Sequence, residues 1–320
     1  MSLSRFNRIL VTGGAGFIGS HLIDRLLKEG AEVVAFDNLI TGIQSNLEHN
    51  MNNKNFTFYR GDIRDRDSLN KVIEGIDAVF HQAALVSVNR SMENPIATND
   101  INVNGTLNIL KACVDNKAKR LVFASSSSVY GDAKELPKRE DMALNPVSPY
   151  AVSKLAAENY VRVFYKVYGL ETVCLRYFNV YGPRQTSGPY SGAIPIFIEN
   201  LFNDRKNIIF DDGEQTRDFT NIRDVVQANV CALTSDRAIG EVFNIATGLA
   251  TSINELVSNL QKITNKTKLE TIYAEPRPGD IKHSYADISK AKKLINYKPR
   301  VNLFDGLTEL VECWKKIKYT

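Results

Sequence analysis

A glycine-rich loop constrains the fold of this 320-residue chain more than any other feature of its sequence. The segment Arg8–Thr12 has the composition of a short buried strand, and the run GGAGFIG at 13–19 follows it directly and opens a helical pattern. In this strand–turn–helix setting, Gly13 permits a tight turn, Gly16 lets a diphosphate approach the backbone, and Gly19 allows close packing. The sequence therefore predicts a phosphate site at a helix N-terminus. A turn that serves only packing is the alternative.

The rest of the first half alternates short apolar runs with helical patterns. Further strands are predicted at Glu32–Phe36, Phe56–Arg60, Ala78–His81, Arg120–Ala124 and Thr172–Arg176. Helices are predicted at His21–Glu29, Ser68–Glu74, Asn102–Asn116 and Tyr150–Tyr168. This alternation is typical of right-handed βαβ units, and we expect an α/β fold with a Rossmann-type doubly wound parallel sheet.

The rhythm changes after Asn179, where glycine, proline and polar residues interrupt short elements. We expect residues 1–178, with a return segment near 220–246, to form a dinucleotide-binding domain. Residues 179–320 are then mainly a smaller, irregular lobe that binds the substrate.

Composition excludes several classes of protein. The 40 basic and 36 acidic side chains give a net charge of only +4, and they are scattered, so no nucleic-acid partner is expected. No apolar run reaches the ~20 residues of a membrane span, and the N-terminus does not resemble a signal peptide. The four cysteines are dispersed, which predicts reduced thiols, no metal site and a cytoplasmic location.

Two carboxylates follow predicted strands at the edge where the glycine loop lies. Asp37 ends the second strand, where a carboxylate accepts hydrogen bonds from ribose hydroxyls and repels a 2′-phosphate, which favours NAD over NADP. Asp62 follows the third strand and is expected to accept from the adenine amino group, with a simple turn residue as the alternative. His81 is expected to be a hydrogen-bonded structural histidine.

A tyrosine and a lysine share one face of the last predicted helix. Tyr150 and Lys154 are four residues apart, with Ser148 as the expected N-cap and Pro149 at the first helical position. A nearby ammonium and a positive nicotinamide favour the phenolate, so we expect them to lower the pKa of the tyrosine. The serines at 125–128 follow the fifth strand, where a hydroxyl can relay a substrate proton to this base.

These motifs together resemble the extended short-chain dehydrogenases/reductases, specifically the NAD-dependent nucleotide-sugar epimerases and dehydratases. The resemblance spans the glycine loop, VYGD at 129–132, YAVSK at 150–154, RYFNVYGPR at 176–184 and RDF at 217–219. It implies that Ser126, Tyr150 and Lys154 are catalytic. The predicted cofactor-binding residues are Gly13, Gly16, Phe17, Ile18, Gly19, Asp37, Asn38, Asp62, Ile63, Ala83, Asn102, Ser125, Tyr150, Lys154 and Tyr177.

The resemblance also narrows the reaction. The 4,6-dehydratases of the family carry Thr-Asp-Glu where this chain has Ser126, Ser127 and Ser128, and the decarboxylases usually carry Glu at the last position. Without a carboxylate for elimination or decarboxylation, oxidation at C4 and return of the hydride to the other face is the simplest reaction. The sequence therefore predicts an isomerase, a UDP-hexose 4-epimerase with bound NAD.

The substrate is predicted from the second half of the chain, again by resemblance. The predicted substrate-binding residues are Ser87, Ser126, Ser127, Asn179, Ala193, Phe210, Arg217, Phe219, Arg277, Asp280 and Ser284. Ser284 is small where relatives restricted to UDP-glucose and UDP-galactose can carry Tyr, which leaves room for a 2-acetamido group. We therefore expect UDP-GlcNAc/UDP-GalNAc and also UDP-Glc/UDP-Gal as substrates.

Two alternative functions and one assembly are left open. A UDP-glucuronate 4-epimerase or related uronate enzyme could use Arg90 or Arg184 to meet the carboxylate, and an NAD-binding regulatory protein could retain the fold without activity. The family's homodimers imply a bundle of helices around Ile96–Val114 and Tyr150–Tyr168.

Overall fold

Alternating apolar runs build one large parallel sheet in the computed structural model, which describes residues 3, 5–186, 188, 191–276 and 281–319. Its strands are β1 Arg8–Thr12, β2 Glu32–Asp37, β3 Phe56–Arg60, β4 Ala78–His81, β5 Arg120–Ser126, β6 Glu171–Tyr177 and, beyond the small β7 to β10, β11 Val242–Ile245. They lie in the order β11-β6-β5-β4-β1-β2-β3, and neighbouring strands are parallel. The predicted Rossmann-type doubly wound sheet is confirmed.

Successive strand residues pack on opposite faces of this sheet, because side chains alternate along a strand. Ile9 and Val11 belong to one apolar cluster and Leu10 to the other. The first face is covered mainly by α1 Phe17–Lys28 and α8 Ile222–Thr234, and the second by α2 Arg66–Ile73, α5 Gly105–Asp115 and α6 Pro149–Tyr168. Burial on both faces explains why the strands are almost wholly apolar.

The remaining elements are shorter. The other helices are α3 Val88–Glu93, α4 Pro95–Asn99, α7 Ala193–Phe202, α9 Ile253–Ile263, α10 Ser289–Ile295 and α11 Leu303–Tyr319. The other strands are β7 Asn179–Tyr181, β8 Ile208–Phe210, β9 Thr216–Arg217, β10 Phe219–Asn221, β12 Thr251–Ser252, β13 Ile272–Ala274 and β14 His283–Ser284. Helices α7, α9 and α11 enclose a separate apolar cluster, which is the core of the predicted smaller lobe.

Several boundaries differ from those expected from the sequence, and three of the differences affect the candidate site. Helix α1 begins at Phe17, four residues early, because Gly16 is already its N-cap. The predicted helix Asn102–Asn116 starts instead as a π-helical turn, Asp100–Asn104, before α5. Strand β5 continues to Ser126, so two serines that were expected in a loop are strand residues with opposite orientations.

Candidate active site

The glycine loop closes the carboxyl edge of the sheet between β1 and β4, where the strand order reverses. Gly13 has φ +68°, and a Cβ built on it would lie 2.7 Å from the backbone nitrogen of Ala83. Both observations require glycine, because the conformation is left-handed and the facing atom is backbone. The loop and the end of β4 therefore form one narrow ledge at the switch point of the sheet, where doubly wound folds bind ligands.

The N-terminus of α1 rises directly from this ledge. Its N-cap, Gly16, has no side chain to cap the helix, and the N–H groups of Phe17 and Ile18 belong to the uncapped first turn. A Cβ on Gly19 would collide with the carbonyl oxygen of Gly13, so this glycine is needed for the loop to fold against its own helix. Backbone donors and the positive helix end make a site for a diphosphate.

Asp37 fixes the loop from the end of β2. Its buried carboxylate accepts the N–H of Ala15 at 3.0 Å and that of Leu39 at 2.8 Å. Burial raises the pKa of this carboxyl group, and the two backbone hydrogen bonds oppose the shift. Each carboxylate oxygen retains a further lone pair, so the donor set of a ribose fits this position.

Asp62 already has strong partners. Its carboxylate accepts the Arg64 guanidinium at 2.8 and 2.9 Å and the amide of Asn38 at 2.8 Å. The hydrogen bonds from Arg64 hold the pKa of Asp62 far below its usual range. Arg64 also donates to Asp100 at 3.2 Å. The sequence did not predict any role for Arg64. Arg64 is only two positions after Asp62 in the sequence, but nothing in the local pattern indicated that the two side chains pair.

The side chains of two other predicted cofactor residues, Tyr177 and Ile63, contact other protein residues. The Tyr177 hydroxyl donates to Asn229 of α8 at 2.9 Å and accepts from Gln82 at 3.1 Å. Ile63 is buried beneath Gly105, where a Cβ would meet its side chain. These contacts set the width of the cleft, and the cofactor roles of both residues stay predictions.

Helix α6 brings the tyrosine and lysine to this edge as the sequence predicts. The Ser148 hydroxyl accepts the N–H of Ala151 at 3.2 Å, which confirms it as the N-cap, and Pro149 is the first helical residue. Ser126, at the end of β5, is near enough to the Tyr150 phenol to oppose the rise in its pKa, while the Ser128 hydroxyl and N–H donate to Ser126 at 2.9 and 3.2 Å. Because Ser128 fills its acceptor sites, the Ser126 hydroxyl is left to act as a donor towards the tyrosine oxygen.

Lys154 lies one turn further along α6 and is only 3% exposed. Its ammonium is 4.4 Å from the centroid of the Phe123 ring. Burial lowers the pKa of Lys154 to about 7, and burial also raises the pKa of the Tyr150 phenol against the opposing effect of Ser126. Sequence reasoning expected charge to lower the pKa of Tyr150, but in the polypeptide itself desolvation outweighs that effect.

Asn102 and His81 hold the floor of the cleft. Asn102 accepts the N–H of Leu85 at 2.7 Å and donates to Ser153 at 3.0 Å, so the π-helical turn is tied to α6 beside the catalytic pair. His81 bridges Thr12 at 2.7 Å and Thr106 at 3.0 Å, and burial lowers its pKa to about 3. A neutral imidazole with a hydrogen bond at each ring nitrogen is consistent with the expected structural histidine.

Several predicted substrate-binding residues lie on short strands after Asn179. Strand β7 pairs with β10, which aligns Asn179 with Phe219, and β14 pairs with β9, which aligns Ser284 with Arg217. Buried Asp218 lies between the two predicted ligands of the RDF motif. Its carboxylate accepts N–H groups from Thr247 at 2.8 Å, from Gly248 at 2.9 Å and from Ala286 at 3.4 Å. Its carbonyl accepts the Asn179 N–H at 3.1 Å. Sequence reasoning did not assign this residue.

The other predicted substrate residues are dispersed over other elements of the fold. Ser127 follows β5, Ala193 is the first residue of α7, and Phe210 ends β8. Ser87 has φ +129° and caps α3 by accepting the N–H of Arg90 at 3.3 Å, and strain of this kind is concentrated at functional sites. Arg277 and Asp280 lie outside the described residues. Their roles and those of the residues above stay predictions.

A dinucleotide fits this arrangement on the observations above. The glycine loop and the uncapped N-terminus of α1 fit a diphosphate, and the buried carboxylate after β2 fits a ribose. These groups occur in the order that a dinucleotide requires. Within the described residues, no group of three or more metal-ligating side chains was found. The described helices also include none that is both long and apolar enough to cross a bilayer.

Comparison with known proteins decides the family. The model of the NAD dependent epimerase/dehydratase family matches residues 9–246. The chain belongs to this family. It is 38% identical over 310 residues to a UDP-glucose 4-epimerase of Mycolicibacterium smegmatis, covering 96% of this chain and 98% of the relative. The predicted family, isomerase activity and NAD cofactor are confirmed.

Solved structures agree over almost the whole fold. A UDP-N-acetylglucosamine 4-epimerase from Methanobrevibacter ruminantium M1 superposes with a TM-score of 0.93 at 39% identity, covering 98% of this chain and 99% of that one. A UDP-glucuronic acid 4-epimerase from Bacillus cereus, solved with UDP-glucuronic acid and NAD, gives 0.90 at 38% identity, covering 97% and 99%. Overall identity therefore does not separate these substrates.

Proposed function

We propose that this protein is an NAD-dependent UDP-hexose 4-epimerase that interconverts UDP-GlcNAc with UDP-GalNAc and UDP-Glc with UDP-Gal. The observation that carries the proposal is the placement of Ser126, Tyr150 and buried Lys154 at the sheet edge where the glycine loop lies, with Ser126 near enough to the Tyr150 phenol to affect its pKa. Residues 1–178, with the return near 220–246, would bind NAD, and mainly 179–320 would bind the UDP-sugar.

Each catalytic side chain has one task in this reaction. Tyr150 takes the proton of the sugar 4-hydroxyl, and Ser126 relays that proton and orients the hydroxyl. When the phenolate forms, its negative charge favours the protonated form of Lys154, which then stabilises the phenolate. The glycine loop and Asp37 would hold NAD, which would supply a reversible hydride acceptor for C4 and a positive charge beside the phenol. The proton returns from Tyr150, so atoms and electrons balance over one turnover.

The serines beside the base favour epimerisation over the other reactions of the family. Ser126 and Ser128 hydrogen-bond each other, and neither Ser127 nor Ser128 supplies a carboxylate for elimination or decarboxylation. The 4-keto sugar can then only be reduced again. The expected product is the C4 epimer, with no loss of water or carbon dioxide.

Ser284 is proposed to set the size of the sugar pocket. It is partly buried, and its strand pairs directly with the strand of Arg217, so the two residues are neighbours. A hydroxymethyl group leaves volume that a tyrosine ring would fill. Ser284→Tyr is expected to reduce kcat/KM for UDP-GlcNAc at least tenfold more than for UDP-Glc, with Ser284→Ala as the control that keeps both activities. An equal loss for both sugars would refute the size gate.

The uronate alternative has less support from the arginines. Arg184 donates to Asp24 of α1 at 2.7 Å, and the neighbouring carbonyl of Pro183 contacts His21 of the same helix at 2.9 Å. Both contacts hold Arg184 against α1, where its Nη2 nitrogen is already paired with a carboxylate. A panel of UDP-sugars, incubated without added NAD and resolved by chromatography, separates the cases. Turnover of UDP-glucuronate alone would favour the uronate enzyme, and no turnover of any sugar would favour a non-catalytic regulator.

We also propose a homodimer formed through α6. Val152, Tyr160, Val163 and Val167 share one face of this helix and are 41–66% exposed, and Ile96 of the adjoining α4 is 82% exposed. An exposed apolar stripe of this size is typical of a protein interface. A cytoplasmic location is proposed with it, since Cys113 and Cys174 are buried free thiols, as expected in a reducing compartment.

A further inference from the structure

A buried acid lies behind the catalytic pair. Tyr150, Lys154 and Glu158 follow each other at four-residue intervals and so share the face of α6 that meets β5 and β6. Glu158 is 0% exposed. A fully buried carboxylate is costly unless it is paired and hydrogen-bonded, so the partners of Glu158 indicate its structural role.

Glu158 has three hydrogen bonds from two neighbouring strand residues. Arg176 of β6 donates at 2.6 and 3.0 Å, and the Ser125 hydroxyl of β5 donates at 2.6 Å. Ser125 and Arg176 are also partners in the β5–β6 register. The Ser125 side chain therefore points into the core towards α6, and the next residue, Ser126, points the opposite way along the strand.

A second buried arginine also forms an ion pair between the same two strands, at their other end. Arg120 of β5, fully buried, pairs with Glu171 of β6 at 2.7 Å, five register positions or about 17 Å away. None of the predicted site residues lies at that end. An ion pair there is sufficient to join the strands, so the hydroxyl that couples β5 to the acid on α6 is a distinctive feature of the catalytic end.

We propose that Glu158 is a positioning residue that acts through the Ser125 hydroxyl to fix Ser126 within hydrogen-bond reach of Tyr150. The end of β5 and the helix that carries the base are otherwise separate elements. The hydrogen bond from Ser125 to Glu158 joins them one residue away from Ser126, which lies near the Tyr150 phenol. This inference rests on the proposed epimerase reaction, since it assigns these residues a role in its proton relay.

Ser125→Ala tests the coupling while leaving the Glu158–Arg176 pair intact. The matched control is Thr172→Val, because the buried Thr172 hydroxyl also joins a strand to α6, donating to the Val161 carbonyl at 3.1 Å. Each substitution removes one buried hydroxyl bond and should lower stability similarly. We expect kcat of Ser125→Ala to fall about tenfold with KM within twofold, because small misplacements of reacting groups are costly. The control should stay within twofold of wild type in both.

Two further readouts separate positioning from a direct cofactor contact. NAD that co-purifies with Ser125→Ala should match wild type, and Ser125→Cys, which retains the volume and a weak donor, should be more active than Ser125→Ala. Equal losses of kcat in Ser125→Ala and Thr172→Val, an unchanged kcat in Ser125→Ala, or loss of its NAD would overturn the inference. A wild-type protein inactive on every UDP-sugar would instead overturn the proposed function, and the inference with it.

Discussion

Lys154→Met is expected to stabilise the protein while abolishing its activity. The wild-type ammonium lies in the core over Phe123, where burial lowers its pKa from 10.5 to about 7. Because the native pKa is depressed, the unfolded chain holds this proton between pH 7 and pH 10.5 while the native state has lost it. Native stability therefore rises with pH across that window. Below it, the cost of the buried charge is fully present.

The magnitude follows from the size of the shift. One pKa unit corresponds to about 1.4 kcal/mol, so at pH 7 the buried lysine costs on the order of 4 kcal/mol relative to a neutral side chain of similar length. The same arithmetic gives a cost of about 5 kcal/mol at pH 6 and about 2 kcal/mol at pH 9. The gain from the methionine should therefore shrink with rising pH.

The assay is urea unfolding of both proteins between pH 6 and pH 9. It is done after removal of nucleotide, because a ligand that binds only the native state would mask the difference. Lys111→Met is the control, since that lysine is 48% exposed on α5 and should change stability by no more than about 0.5 kcal/mol. The reasoning is refuted if Lys154→Met is no more stable than wild type at pH 7, or if its gain is the same at pH 6 and pH 9.

The other predictions concern the cofactor and the assembly. Gly13→Ala should purify without NAD, because a side chain at φ +68° would meet the Ala83 backbone. Gly30→Ala is the control and should retain NAD, because a Cβ at that position has open space. The absorbance of bound nucleotide measures both variants, and NAD bound to Gly13→Ala would contradict the cleft geometry. Val163→Glu should convert a dimer into a monomer by light scattering, while Phe304→Glu on α11 should not; a wild-type monomer would refute the proposed interface.

Local patterns predicted much of the fold and of the catalytic end. Strands β1, β2, β4, β5 and β6 follow from short apolar runs that are mostly buried, whereas β3 is a largely exposed edge strand. The Ser148 cap, Pro149 and the four-residue spacing of Tyr150 and Lys154 are signals within a single helical segment, and they could be interpreted without knowing what the helix packs against.

Contacts between distant segments could not be predicted in the same way. Ser125 and Glu158 are 33 residues apart, and Arg184 and Asp24 are 160 apart. No periodicity links such pairs, so neither contact could be predicted from the sequence, and the cofactor role of Ser125 and the uronate role of Arg184 stay predictions. The π-helical turn was missed for a related reason, because it depends on Gly105 packing against Ile63 and on Asn102 bonding Leu85.

The fate of the C4 hydrogen tests the central claim most directly. A UDP-GlcNAc carrying deuterium at C4 is incubated with the protein in ordinary water, and the UDP-GalNAc formed is analysed by mass spectrometry. If Tyr150 removes only the hydroxyl proton and the hydride returns from the bound nicotinamide, the product retains its deuterium at C4. Deuterium lost to solvent would show that the C4–H bond is broken by proton abstraction, which contradicts the account.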